Sequence, residues 1–207
     1  VQGPATTGTY PLSPQDAFPI YLHKFPCAKT LGQHRQRKHA FRPASVVNIS
    51  AMSFGSLSGP AIEALNRGSQ LAGCLHNTGE GGISPYHQCG GELIWQIGTG
   101  YFGCRSKDER FDEKLFVDAV QANPVKAIEI KLSQGAKPGK GGLLPKAKIT
   151  KEIAAIRGIP MGVDCASPVS HPEFQYVVLM LDFVDRLATL CGLPTRRSAR
   201  ALRGEGP

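Results

Sequence analysis

The chain has 207 residues, of which 24 are Lys or Arg and 16 are Asp or Glu, giving a formal net charge of +8. Apolar residues make up 41% and charged residues 19%, a composition that excludes intrinsic disorder and collagen. No stretch reaches the roughly 20 consecutive apolar residues of a membrane helix, and the first residues lack the pattern of a signal peptide. We therefore expect a soluble, cytoplasmic protein without a membrane partner.

The positive charge is concentrated in two flanking segments. Residues 33–42 carry four basic and no acidic side chains, and residues 194–207 carry four basic side chains and one acidic one. A nucleic-acid-binding protein would carry a basic face on its folded body, together with aromatic residues or a motif that reads bases. Neither is visible, so we expect no nucleic-acid partner.

The six cysteines stand far apart along the chain. The shortest gaps are 15 residues, on either side of Cys89. Zinc and redox sites use the much closer C-x-x-C spacing. We therefore expect free, mostly buried thiols and no metal site.

Residues 1–45 are rich in Pro, Gln, Thr and His without periodicity, which predicts an irregular N-terminal segment. Residues 46–49 form a β-branched run that predicts a short strand, followed by a Ser/Gly-rich turn. Pro60 then stands where the first turn of a helix accepts proline, and apolar residues continue at helical spacing as far as Gly73.

Strands and helices alternate through the rest of the chain, which indicates a parallel sheet covered by helices. The predicted strands cover residues 75–78, 93–97 and 127–132, and the predicted helices cover residues 112–121, 150–157 and 173–190. The loops that follow the strands are rich in Gly and Ser, as at the active-site rim of a (β/α)8 barrel. Only about four strand–helix units are present, whereas a complete barrel takes about 250 residues. The predicted fold class is therefore α/β, a (β/α)8 TIM barrel with about its first half present over residues 46–193.

Two nucleotide-binding motifs match only superficially. Residues 98–103 fit G-x-G-x-x-G, but a dinucleotide fingerprint needs a helix directly behind it, and residues 104–108 predict a polar turn. Gly139 and Lys140 resemble part of a P-loop, but Gln134 stands where its first glycine belongs. We expect neither a Rossmann site nor a P-loop.

Three Gly- and Ser-rich loops follow successive predicted strands. Residues 50–58 have small side chains that would let the backbone approach a flat ligand, and residues 77–84 place one carboxylate among glycines. Residues 131–139 carry two lysines with an amide between them, a combination that suits an anionic ligand. Each loop alone is equally consistent with a turn that carries solvated charges. All three at successive strand ends indicate one site.

The run from Ile49 to about Ser170 resembles the FMN-binding synthase domain of glutamate synthases, especially the single-domain FMN-binding glutamate synthase-like proteins. The matching stretches are ISAMSFGSLSGPAIEALNRG, AGCLHNTGEGGISPYH, WQIGTGYFGCR, AIEIKLSQGAKPGKGG and IPMGVDCASP. The resemblance implies a (β/α)8 barrel that carries FMN. It also implies a reaction in which ammonia condenses with 2-oxoglutarate and hydride from reduced FMN converts the 2-iminoglutarate to L-glutamate.

The resemblance also implies roles for individual residues. Those that resemble the first flavin-contacting loop are Ala51, Met52 and Ser53, and those that resemble the oxoacid pocket are Glu80, Ser133, Gln134 and Lys137. Lys131 resembles the lysine beside the isoalloxazine, where a cation stabilises negative charge on the reduced ring. Lys137 would pair with a substrate carboxylate, and Glu80 would hold or deprotonate ammonia, so Glu80 and Lys131 are the expected catalytic residues. An exposed turn carboxylate is the alternative interpretation of Glu80.

The chain departs from the family pattern at several positions. Lys140 and Leu143 stand where large glutamate synthases carry an acid and an amide, which leaves the substrate open. Val1 is not the catalytic cysteine of a glutaminase domain, so ammonia would come from solution or from a glutaminase subunit, and an electron-donor subunit is a further expected partner. None of the six cysteines occupies the family's iron–sulfur pattern, so we expect FMN without a cluster.

The last residues depart from the family most. Residues 194–207 stand where the family continues into a further barrel strand, and their Arg/Ala/Gly-rich composition predicts a disordered basic tail of the kind a shifted reading frame encodes. We therefore expect a fragment that carries half a site. Two alternatives stay open beside a glutamate synthase-type enzyme. One is an FMN barrel oxidoreductase for another 2-oxo or 2-hydroxy acid, and the other is an inactive fragment that folds only against a partner chain.

Overall fold

The structure is a computed structural model that describes residues 28–132, 134 and 141–198. In chain order its elements are α1 (Gly59–Ala72), β1 (His76–Asn77), β2 (Leu93–Ile97), α2 (Glu113–Ala122), β3 (Val125–Lys131), β4 (Leu143–Leu144), α3 (Lys151–Arg157), β5 (Cys165–Ala166), α4 (Val177–Cys191) and β6 (Thr195–Ser198). Short 3₁₀ turns cover Pro85–His87 and Lys146–Lys148. Helices lie between β2 and β3 and between β3 and β6, as the sequence predicts, whereas only a 3₁₀ turn lies between β1 and β2.

The main sheet is parallel, with the strand order β1–β2–β3–β6. Within this sheet, strands that are consecutive along the chain are neighbours. Helices lie in the connections from β2 to β3 and from β3 to β6. Sequential parallel strands with helical crossovers are the repeating arrangement of a (β/α)8 barrel. The fold is thus α/β and consistent with part of such a barrel. A separate antiparallel pair joins β4 and β5.

One face of the sheet carries the main hydrophobic core. Trp95 of β2 is fully buried and stacks on Phe116 of α2, with ring centroids 5.5 Å apart. Phe183 of α4 belongs to the same cluster. The helices α2 and α4 therefore cover this face, as helices cover the outside of a barrel.

The opposite face of the sheet carries a small apolar cluster at its amino-terminal end and polar side chains toward its carboxyl end. Glu129 of β3 is only 4% exposed, and its Oε1 accepts hydrogen bonds from Asn77 Nδ2 (2.9 Å) and Gln96 Nε2 (2.6 Å). Residues two apart on a strand share a face, so this face leads directly to Lys131 at the end of β3.

Two helices begin at a side-chain cap. Asp112 Oδ1 accepts from Leu115 N at 2.9 Å at the start of α2, and Thr150 Oγ1 accepts from Ile153 N at 3.2 Å at the start of α3. Residues 98–103 lead into turns rather than a helix, as the sequence predicts. No helix in the described part of the chain is long and apolar enough to cross a membrane.

Two predictions need correction within the main sheet. The strand predicted over 46–49 is reduced to a single parallel bridge between Ile49 and His76. Conversely, residues 195–198 form β6, although the sequence predicted a disordered basic tail from residue 194. β6 forms because the edge of β3 offers unpaired N–H and C=O groups, and because Arg196 makes an ion pair with the buried carboxylate of Glu129.

The N-terminal segment and the cysteines agree with the sequence where they are described. Residues 28–45 contain turns, bends and a bridge between Leu31 and Phe41, with no longer element. Phe41 packs near Leu75 at the amino-terminal end of the sheet. The five cysteines in the described ranges are free, two of them buried and three half-buried. Residues 1–27 and 199–207 lie outside the description.

Candidate active site

Three of the predicted side chains meet at the carboxyl end of the sheet. Lys131, the last residue of β3, donates from Nζ to Glu80 Oε1 at 2.8 Å and to Gln134 Oε1 at 2.9 Å. Gln134 Nε2 donates in turn to Glu80 Oε1 at 2.8 Å. The side chains of Lys131 and Glu80 are 23% and 19% exposed. Glu80 is therefore a paired, mostly buried carboxylate and not an exposed turn residue.

The loop that contains Met52 lies beside this triangle and is held at its backbone. Met52 N donates to the Asn77 carbonyl at 3.1 Å, and the Met52 carbonyl accepts from His87 Nε2 at 3.0 Å. Gly79 has a φ of +66°, and a Cβ there would lie 2.7 Å from Ser53 N. The loop after β1 can approach the Met52 loop this closely only because residue 79 has no side chain.

The triangle and the Met52 loop enclose one cavity of about 300 Å³. Six of the eight predicted site residues line it, namely Ala51, Met52, Ser53, Glu80, Lys131 and Gln134. The other two, Ser133 and Lys137, lie outside the described residues, as does Lys140. Three loops that are distant in sequence thus converge on one site, as the sequence predicts.

A second cavity of about 160 Å³ lies on another side of Glu80 and Gln134 and contains a charge that the sequence analysis missed. Arg157, at the end of α3, is 7% exposed. Its Nη2 donates to the Phe54 carbonyl at 3.2 Å, and its guanidinium lies 5.0 Å from the centroid of the Phe102 ring. Burial lowers the pKa of Arg157. Its Nε is buried and has no hydrogen-bond partner among the described residues.

The sequence analysis missed two groups, Glu129 and Arg157. The sequence contains a weak signal for Glu129 and none for Arg157. Glu129 alternates with Lys131 in the strand AIEIKL, so a period of two already places its carboxylate on the site's face. Arg157 stands in the last turn of a predicted helix, where a basic residue is usual because it complements the helix dipole. Only the packing of α3 against the second cavity shows that it faces inward.

Gln96 of β2 joins the site floor to this polar face. It lines the larger cavity and also donates to Glu129 from Nε2. Among the described residues no three His, Cys, Asp or Glu side chains lie together as ligands for a metal ion. The chemistry of the site therefore rests on one carboxylate, two cationic groups and amide side chains.

Comparison with known proteins identifies the family. The conserved region of glutamate synthase matches residues 21–192. The glutamate synthase large subunit-like protein YerD of Bacillus subtilis is 41% identical over 173 residues, which are 83% of this chain and 32% of that protein. The archaeal-type glutamate synthase [NADPH] of Thermotoga sp. is 40% identical over 132 residues, 63% of this chain and 24% of that protein.

A third relative gives the same picture. The archaeal glutamate synthase [NADPH] of Archaeoglobus fulgidus is 40% identical over 130 residues, 62% of this chain and 23% of that protein. The chain thus spans between about a quarter and a third of the length of these relatives. Because the family match covers most of its residues, the chain belongs to the glutamate synthase family.

Proposed function

We propose that the chain carries part of an FMN-dependent glutamate synthase-type active site, which aminates 2-oxoglutarate to L-glutamate. The observation that carries the proposal is the convergence of Lys131, Glu80 and Gln134 with the Met52 loop on one cavity. The names of the relatives support the same activity. We also propose that this chain is active without a further chain.

The residues around the larger cavity fit the ring system of a flavin. The backbone of Met52 and Ser53 approaches Gly79 closely, and a Cβ at position 79 would displace this part of the cavity wall. The Lys131 ammonium lies at the edge of the cavity, where it would stabilise negative charge on a reduced ring. Bound FMN would supply the hydride.

The second cavity fits an acidic substrate. Arg157 is mostly buried and lines this cavity, so a substrate carboxylate bound there would gain a charge-assisted hydrogen bond from its guanidinium in a site of low dielectric. Gln134 lines both cavities and would orient the same substrate through its amide. Lys137 would hold a carboxylate as well.

Glu80 is positioned to bind the ammonia. In the described part of the chain, the hydrogen bonds from Lys131 and Gln134 both end on Oε1. Oε2 can therefore accept a hydrogen bond from an N–H of ammonia or take up the proton of ammonium, which leaves neutral ammonia. Gly98 makes room for this oxygen, because a Cβ there would lie 2.6 Å from Glu80 Oε2.

The proposal is tested by a single-turnover assay on the purified chain with chemically reduced FMN, 2-oxoglutarate and ammonium. Glu80→Gln and Lys131→Met should each lower glutamate formation by about 100-fold or more, as the loss of an electrostatic stabiliser does. Lys126→Met is the matched control, because Lys126 begins the same strand but pairs with Glu92 on the surface. Wild-type rates in Glu80→Gln would contradict the role of Glu80.

One observation favours a different 2-oxo or 2-hydroxy acid. Leu143 lines the second cavity, where large members of the family carry an amide, and its side chain cannot hydrogen bond a substrate. The same assay with a panel of 2-oxo acids, and a parallel assay of 2-hydroxy acids with oxidised FMN as the hydride acceptor, distinguish these substrates from 2-oxoglutarate. FMN binding without turnover of any acid would instead support an inactive fragment that needs a partner, such as an electron-donor or glutaminase subunit.

A further inference from the structure

We propose that two buried histidines, His87 and His171, act as neutral clamps on the backbone of this site. Each donates its Nε2–H to the carbonyl of a residue that lines the larger cavity, His87 to Met52 and His171 to Lys131. The proposal rests on the proposed function, because it makes both histidines positioning residues for the flavin-contacting loop and the lysine beside it.

The partners of His87 fix its protonation state. The ring is fully buried, and its Nε2 lies 3.0 Å from the Met52 carbonyl oxygen, which can only accept. Its Nδ1 lies 3.1 Å from the backbone N–H of Ser84, which can only donate. The ring therefore carries its proton on Nε2 and is neutral, because an imidazolium would place N–H against N–H at Ser84. The Ser84 hydroxyl, 2.8 Å away, adds to the same contact.

His171 repeats this arrangement at the other side of the site. It is 2% exposed, and its Nε2 lies 2.9 Å from the Lys131 carbonyl oxygen. Its Nδ1 lies 3.0 Å from the hydroxyl of Tyr101, which is itself fully buried. Phe174 stacks on the ring with a centroid separation of 4.6 Å, which fixes the ring plane. The hydroxyl proton of Tyr101 points to Nδ1 if the imidazole is neutral.

Burial favours the neutral form of both rings. Desolvation lowers the pKa of His87 and of His171, and it outweighs the hydrogen bonds to the Met52 and Lys131 carbonyls, which act in the opposite direction. The titratable groups that act on His171 are Glu80 and Glu173, and His76 lies beside His87 with ring centroids 5.3 Å apart.

The two histidines hold the two parts of the site whose relative position matters, the loop that contains Met52 and the end of β3 at Lys131. Met52 lies outside any helix or strand, and its two backbone groups are paired with Asn77 and His87. Lys131 ends β3, so the direction of its side chain depends on how that strand end is held. Loss of His87 should therefore weaken flavin binding, whereas loss of His171 should displace the Lys131 ammonium.

The first test is a measurement on the unsubstituted chain without any flavin. Long-range ¹H–¹⁵N NMR spectra of the histidine rings at pH 7 distinguish the two neutral tautomers from the imidazolium. We expect the neutral Nε2–H pattern for His87 and His171, with assignments from single His→Gln variants. A ring protonated on Nδ1 or on both nitrogens would overturn the proposal.

The second test uses paired substitutions and titration with FMN. His87→Leu should weaken FMN binding about tenfold, and His87→Gln, which keeps a side-chain N–H, should restore most of it. His171→Leu should make the reduction potential of bound FMN more negative, and His171→Gln should return it toward the wild-type value. His34→Leu, at an exposed histidine, is the control and should change neither quantity.

The outcomes distinguish the proposal for the two histidines from the proposed flavin site on which it rests. Leu variants that fold and match the wild-type chain in FMN affinity and potential would overturn the clamps and leave the flavin site intact. A folded wild-type chain that binds no FMN would overturn the flavin site and, with it, the role of both histidines.

Discussion

At the scale of single residues, the site depends on how closely Gly79 lets two loops approach. Its φ of +66° places it in the left-handed region, and a Cβ would lie 2.7 Å from Ser53 N. Gly158 is a matched control, because its φ is +64° and a Cβ there would have no neighbouring atom within 4 Å. Alanine at either position carries the same conformational penalty of about 1 kcal/mol.

The free energies of unfolding of the two alanine variants should therefore differ only by the cost of the clash at position 79. Gly158→Ala should lose about 1 kcal/mol of unfolding free energy and keep its FMN affinity. Gly79→Ala should be less stable than Gly158→Ala and should bind FMN more weakly, because Ser53 must move away from the cavity. Urea denaturation and FMN titration measure the two effects. Equal stability and equal FMN affinity in the two variants would show that the loops do not need this approach.

Some residues of the site can be predicted from the sequence of their own segment, and others cannot. Glu80 and Lys131 were predicted because Glu80 stands in a glycine-rich loop after a predicted strand, Lys131 stands at the end of another, and the family resemblance implies roles for both. Arg157 was not, because a basic residue at a helix end usually faces solvent, and its burial depends on contacts with Phe54 and Phe102 that are far away in sequence. A pattern within one segment cannot contain such contacts.

At the scale of single elements, the start of α2 depends on one capping side chain. Asp112 Oδ1 accepts from Leu115 N, and α2 carries Phe116 into the main core. Asp112→Ala should lower the free energy of unfolding by about 1 kcal/mol, the usual contribution of an N-cap. Asp118→Ala removes an aspartate from the same helix that pairs only with exposed Lys114, and it should cost less. Urea denaturation of both variants checks the difference, and equal losses would contradict the cap.

The strand β6 shows where prediction from the chain fails at this scale. The strand β2 is mostly apolar and β3 alternates apolar with charged residues, two patterns that predict strands directly, whereas residues 195–198 read Thr-Arg-Arg-Ser. Their pairing with β3 comes from the free strand edge and from Glu129, neither of which residues 194–207 contain.

Hydrogen exchange tests whether β6 is a strand. Amides of residues 195–198 that donate to β3 should exchange more slowly than those of the exposed bend at residues 161–163. Mass spectrometry or NMR on the full chain measures both segments in one sample. Exchange at residues 195–198 as fast as in the bend would restore the prediction of a disordered tail.

At the scale of the whole molecule, stability should fall in mild acid because of buried His76. Its ring is fully buried beside Asn66, and burial together with the nearby His87 lowers its pKa from 6.5 to about 4. Between these pH values the unfolded chain binds a proton that the folded chain does not. The free energy of unfolding should therefore decrease as the pH falls from 6.5 to 4, by up to roughly 3 kcal/mol.

Urea denaturation at pH 7, 5.5 and 4.5 measures this loss. His76→Gln should reduce the slope of this pH dependence but not abolish it, because burial also lowers the pKa of His87 and of His171. His34→Leu, at an exposed histidine, should leave the slope unchanged. A wild-type slope in His76→Gln would show that His76 does not supply it.

The central claim is that this chain forms a flavin site from three loops of a partial barrel. Titration of the purified 207-residue chain with FMN, followed by flavin fluorescence, tests it most directly. The convergence of Met52, Glu80 and Lys131 on one cavity predicts saturable quenching with a stoichiometric end point. Absence of quenching by a chain whose circular dichroism shows it to be folded would contradict the claim, and would leave a family member by ancestry without the family's cofactor.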